Sequence, residues 1–128
     1  MSSNIQLWEV LVPTARRVPA KEYKGKTFAH LKADATDHID VPCTLRYHRV
    51  WDNKVEAIAG GLTILKPNKG KWRDGTTNTV YVDRVIPVRI ACSKEKILEI
   101  IQLTLSHYNQ LAVMAYKISD EVLLINRT

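Results

Sequence analysis

The sequence contains only two cysteines, Cys43 and Cys92, far apart and outside any CxxC or Cys/His spacing. That argues against a zinc centre or a redox pair, and the expected state of both is a buried thiol rather than a bridge. No uninterrupted apolar run approaches the roughly 20 residues needed to cross a bilayer, so a membrane role is not expected. The opening stretch, MSSNIQLWEV, lacks the charged start, apolar region and small-residue cleavage site of an export signal. The expected location is therefore the cytoplasm. A basic recognition helix, an exposed aromatic platform and any nucleic-acid motif are missing as well. The net charge of +6, from 19 basic and 13 acidic residues, thus has no nucleic-acid reading beyond a generally positive surface.

What is present is an ordinary globular balance, 45% apolar and 25% charged over 128 residues. A chain of that size can bury one core without disulfides or metal, and residues 1–128 are expected to form a single domain. IQLWEVLVP, 5 to 13, has strand formers on both faces and stops at Pro13. From about 14 to 45 the apolar periodicity disappears, while Tyr23, Phe28 and His30 occur without regular spacing. This predicts a long loop or lid of the kind that is more often functional than idle. His30, Asp34, Asp37 and His38 lie within it, but their irregular spacing favours a solvated surface over a metal site.

RYHRVWDNKVEAIAG, 46 to 60, places Tyr47, Val50, Trp51, Val55 and Ile58 at helical spacing, with a glycine pair suited to the C-terminal cap. Leu62 to Leu65 is a short strand that leads into KPNKGKWRDG, a loop in which Lys66, Lys69, Lys71 and Arg73 surround Trp72. From Thr79 to Cys92 the residues alternate, Val80, Val82, Ile86, Val88, Ile90 and Cys92 on one face. Pro87 cannot donate to a ladder, which puts its N side at an edge or a bulge. Ser93 caps an apolar helix with Ile97, Ile101, Leu105 and Tyr108 on one stripe. LAVMAYKI and EVLLIN close the chain as a strand or a hairpin. Strand, helix, strand, strand, helix, strand is the α+β ferredoxin-like layout, an antiparallel sheet with two helices on one face. Its other face is too apolar for water alone and favours an oligomer.

From His48 to Tyr116 the residues resemble the phage-encoded S-adenosylmethionine-degrading enzymes, the SAM lyases once called hydrolases. The landmarks are YHRVW, the glycine pair, GKWRD, IPVRIAC before a helix, and HYNQLAVMAYK. The resemblance implies a PII-like, ferredoxin-type trimer with substrate between subunits, cleaving SAM to methylthioadenosine and homoserine lactone without metal or cofactor. A non-catalytic PII-like trimer binding a nucleotide or other small anion is the alternative. A Tyr and a Glu eleven residues later are associated with the reaction in those enzymes. The matching positions hold Trp72 and Asp83, which lack the phenol hydroxyl and one methylene respectively. Tyr81 is the candidate for a displaced hydroxyl, and Lys71, Arg73 and His48 are candidate substrate contacts. Each also has a plain reading. Trp72 could anchor the loop, Asp83 could pair with Arg84 or Arg89, and His48 could be a packed surface histidine.

Overall fold

Short side-chain caps fix where both helices begin. Thr44 Oγ1 accepts from the Tyr47 amide at 3.2 Å and starts α1, Leu45–Ala59. Ser93 Oγ accepts from the Lys96 amide at 3.3 Å and starts α2, Lys94–His107. α1 ends at Gly60, whose φ of 88° is left-handed and whose amide returns to the Glu56 carbonyl at 2.7 Å. The computed structural model describes residues 4–25, 33, 36–73 and 75–127, with backbone alone at 72, 81 and 83.

The strands are β1, Gln6–Pro13; β2, Ala15–Pro19; β3, His38–Pro42; β4, Thr63–Ile64; β5, Asn68–Arg73; β6, Val80–Cys92; and β7, Ala115–Ser119. The main sheet runs β4-β6-β1-β7, with β5 also on β6, and its pairs are all antiparallel. This is the order of a split βαβ fold. Strand alternation sends Val10 and Val12 of β1 and Val88, Ile90 and Cys92 of β6 to the helix side. There they bury with Trp51 and Val55 of α1 and with Ile97, Ile100 and Tyr108. Each such aliphatic side chain stabilises the fold by about 1.5–3 kcal/mol.

The expected loop at 14–45 is corrected in its described part. β2 and β3 pair from Ala15↔Pro42 to Pro19↔His38, and Ala20–Glu22 form a 3-10 turn. Ile39 and Val41 bury from alternate positions of β3, a short pattern hidden between charges and prolines. The ribbon is fastened rather than lid-like. The Arg17 amide donates to the Tyr108 carbonyl at 3.2 Å, and the Gln110 side chain donates to the Ala15 carbonyl at 3.2 Å. His30 and Asp34 of the discounted metal set lie outside the described residues.

The basic loop is also corrected, since Asn68–Arg73 is a strand formed by pairing with β6 rather than by its own weak β pattern. α2 buries Ile97, Ile100 and Thr104, with Tyr108 buried just past its end; of the expected stripe Ile97 and Tyr108 are buried, while Ile101 and Leu105 are only partly so. EVLLIN makes no second closing strand, and Leu123, Leu124 and Ile125 are open to solvent.

Pro87 occupies the irregular position that its chemistry demands. Its carbonyl accepts from the Leu65 amide at 2.9 Å, so its missing N–H faces the junction between β4 and β5. There the register slips by one residue, from Ile64↔Val88 to Asn68↔Val85. The slip is a β-bulge.

Candidate functional site

β6 is 13 residues long, yet β1 accompanies it only from Cys92 to Val85. Beyond that point β5 and β6 form a two-stranded arm. Trp72 stands opposite Tyr81 and Gly70 opposite Asp83. Alternation therefore assigns residues 70, 72, 81 and 83 to one face of the arm, continuous with Val85, Pro87 and Arg89 on the sheet face that carries no helix. The side chains of Trp72, Tyr81 and Asp83 lie outside the described residues.

The bulge decides which face this is. Without the extra residue between Ile64 and Asn68, Gly70 and Trp72 would fall on the helix-side face, because a one-residue slip inverts every later side chain. The sequence expectation grouped Lys71 and Arg73 with Trp72. The register instead puts Lys69, Lys71 and Arg73, together with Arg84, Val80 and Val82, on the reverse face, where all six are exposed. Arg73 is engaged there, donating from Nη1 to Asn78 Oδ1 at 2.9 Å, and Asn78 turns the hairpin with φ of 60°.

His48 belongs to a different environment, between α1 and the end of α2. Its Nδ1 meets the Tyr108 hydroxyl at 2.7 Å. Burial pushes the His48 imidazole below its ordinary range, partly opposed by Asp52 and reinforced by His107. Tyr108 is fully buried, and burial drives its phenol far up. Tyr47 donates to the His107 carbonyl, and His107 Nε2 donates back to the Tyr47 carbonyl at 2.9 Å, with the rings 4.2 Å apart. The Arg16 guanidinium lies 5.3 Å from the Tyr47 ring centroid. Beside it, burial raises the Cys43 thiol to about 11 against the pull of Arg16. Within one protomer the sheet separates His48 from the face of Trp72, Tyr81 and Asp83.

One polar cluster was not foreseen. Glu9, 6% exposed, sits directly opposite Arg89 on one side and Tyr116 on the other. Arg89 Nε donates to Oε1 at 3.1 Å and the Tyr116 hydroxyl donates to Oε2. Arg89, a possible partner for Asp83 in the sequence, is thus engaged by Glu9. The only local signal was an acid inside the apolar run LWEVLV. The partners lie too far along the chain for spacing to reveal them. Among the described residues no group of three His, Cys, Asp or Glu is placed to hold a metal, and no helix is long and apolar enough to cross a membrane.

No family model matches the chain, and no curated protein matches it. Among solved structures it is similar to CutA from Synechococcus elongatus PCC7942. The identity is 11% and the TM-score 0.51, over 92% of this chain and 78% of that one. At such identity the likeness concerns the fold alone, the ferredoxin-type α+β architecture of an antiparallel sheet with two helices on one face.

Proposed function

We propose that this protein works as a PII-like homo-oligomer, a trimer, that holds S-adenosylmethionine against the β5–β6 arm and cleaves it to methylthioadenosine and homoserine lactone. The observation that carries the reading is the register Trp72↔Tyr81 with Gly70↔Asp83. It puts positions 72, 81 and 83 on one face of the arm and Lys69, Lys71 and Arg73 on the reverse, away from a sulfonium they would repel. In the proposed reaction the substrate carboxylate attacks its own γ-carbon. The C–S bond breaks with its electron pair passing to sulfur, and a neutral thioether leaves. The protein's part is to hold the folded conformer, and orientation of that kind can lower a barrier by about 7–11 kcal/mol. Trp72 would stack on adenine or the sulfonium, a contact worth about 0.5–2 kcal/mol, while Asp83 receives the α-ammonium and Tyr81 supplies a hydroxyl. The test is incubation of purified protein with SAM and chromatography of the products. Methylthioadenosine with homoserine lactone supports the reading, Trp72→Ala should weaken SAM binding by about tenfold, and unchanged SAM ends it.

The reverse face favours a second reading. Lys69 pairs across the arm with Arg84, in line with Lys71 and Arg73, giving a row of cations suited to a phosphate-bearing ligand. In that case the protein is a non-catalytic nucleotide binder. Thermal stabilisation by ATP but not by SAM, lost in Lys69→Glu, would decide for it.

A further inference from the structure

The β5–β6 arm supplies what the sequence alone did not show, a projecting two-stranded ribbon with one cationic face. β1 leaves β6 at Pro13↔Val85, and the β5–β6 pair continues to Arg73↔Val80, so the ribbon is six residues, about 20 Å, long. Its helix-side face holds Lys69, Lys71 and Arg73 on β5, with Arg84, Val82 and Val80 opposite them on β6, all exposed. The acid position of the described ribbon, 83, falls on the other face. β5 therefore presents three cations in a line, and β6 sets beside them two valines that are 38% and 55% exposed. The start of α1 is tied to the base of this ribbon. Thr14 Oγ1 donates to the Arg84 carbonyl at 3.0 Å, the Thr14 carbonyl accepts from the Cys43 amide at 2.9 Å, and Thr44 then caps α1. The first turns of α1 bring exposed Arg46 and Arg49, and no first-turn acid, to the same side of the sheet.

We infer that this face binds duplex DNA, the ribbon lying in the major groove with Lys69, Lys71 and Arg73 on the phosphates of one rim and Val80 and Val82 against the base edges. Three features favour this occupant. Lys69 to Arg73 spreads charge over about 13 Å along one strand, which suits a polyanion better than the compact phosphates of a free nucleotide. The major groove is about 12 Å wide and admits a two-stranded ribbon, whose backbones lie about 4.8 Å apart. An exposed valine gains nothing from a phosphate, whereas the thymine methyl group in that groove offers it an apolar contact. An RNA duplex has a major groove too deep and narrow for side chains to read, so the fit is to DNA. Arg84, opposite Lys69, and Arg46 and Arg49 at the base of the ribbon prolong the cationic track. The inference goes beyond the SAM reading and does not depend on it, because positions 72, 81 and 83 lie on the other face. It competes with the nucleotide reading for the same cations.

The test is fluorescence anisotropy of the full chain with a labelled, AT-rich DNA duplex two helical turns long. Four cations on phosphates should give a slope of log K against log salt of about −4, a loss of about a hundredfold between 50 and 200 mM salt. Lys69→Ala combined with Lys71→Ala should flatten that slope by about 2. Lys94→Ala combined with Lys96→Ala removes the same charge from exposed residues just past the far end of β6 and should leave the slope unchanged. Uracil in place of thymine should weaken binding about fourfold for each methyl group contacted, and Val80→Ala combined with Val82→Ala should remove that difference. Circular dichroism like that of the wild type confirms folding in each case. No duplex binding at the lower salt overturns the proposal. So does equal affinity for the single strand or for phosphatidylserine vesicles, indifference to uracil, or an equal loss from the two lysine pairs. Thermal stabilisation by ATP without duplex binding overturns it too, and leaves the nucleotide reading standing.

Discussion

Arg89 holds Glu9 at 3.1 Å from the neighbouring central strand, on the sheet face that carries no helix. The carboxylate is 6% exposed and both oxygens are used, the second by Tyr116. Hydrogen bonds to a buried charge contribute about 1.5–3 kcal/mol, more than neutral ones. Glu9→Ala should lower the unfolding free energy by about 2 kcal/mol, and Tyr116→Phe by about 1 kcal/mol. Urea denaturation checks both, and the double variant should fall short of the sum because the two changes share one carboxylate.

The His48 imidazole gives stability a pH dependence. Burial lowers its folded pKa below the ordinary 6.5, so between the two values the unfolded chain binds the proton that the folded chain refuses. Stability from this group is therefore present above pH 6.5 and lost as the pH falls through that value. Asp52 acts in the opposite sense at lower pH, its carboxyl raised above 3.8 by burial against the effects of His48 and Arg49. The denaturation midpoint should drop between pH 7 and pH 5. His48→Gln, which keeps an acceptor for the Tyr108 hydroxyl, should flatten that drop.

Both thiols should be sluggish. Burial raises Cys43 to about 11 and also raises Cys92, which is only 3% exposed. Since the thiolate is the reacting form, a disulfide reagent at pH 8 should modify the native protein slowly and both cysteines at once when urea unfolds it. Fast native labelling of Cys43 would contradict the raised thiol pKa of its half-buried setting.

The elements with strong local chemistry were legible in the sequence. Thr44 was not singled out, but the helical period from Tyr47 to Ile58, Gly60, Ser93 and the alternation to Cys92 located α1, α2 and β6 to within a residue or two. Pro87 also announced its irregularity, since a residue without an N–H can sit mid-strand only where the neighbouring ladder breaks. What was not legible depends on distant partners. β5 is a strand because β6 is beside it, and β2 and β3 are strands because each has the other. The same holds for the candidate site. Alternation along β6 already put positions 81 and 83 on one face, but the one-residue bulge between Ile64 and Asn68 decides that position 72 joins them and positions 71 and 73 do not. Although Pro87 signalled an edge or a bulge, the register of β5 that follows depends on its pairing with β6.

Gly60 carries a small and separable share of stability. Its φ of 88° is open to glycine at no steric cost, and nothing lies within 4 Å of an added Cβ. Backbone strain alone should make Gly60→Ala less stable by about 1 kcal/mol, measured by urea denaturation, with the fold unchanged.

Thr104 provides the sharpest test of the core. It is fully buried, donates from Oγ1 to the Ile100 carbonyl at 2.7 Å and accepts from Trp51 Nε1 at 3.0 Å. Valine has nearly the same shape but offers no acceptor, so Thr104→Val creates no cavity and leaves the indole N–H buried without a partner. The expected loss is about 1–3 kcal/mol, the cost of an unsatisfied buried donor. Trp51→Phe alone removes the donor together with apolar volume. If the polar pairing accounts for the loss, adding Thr104→Val to Trp51→Phe should cost clearly less than Thr104→Val in the wild type, because no orphaned N–H remains. Equal costs in the two backgrounds would show that Thr104 acts through packing alone.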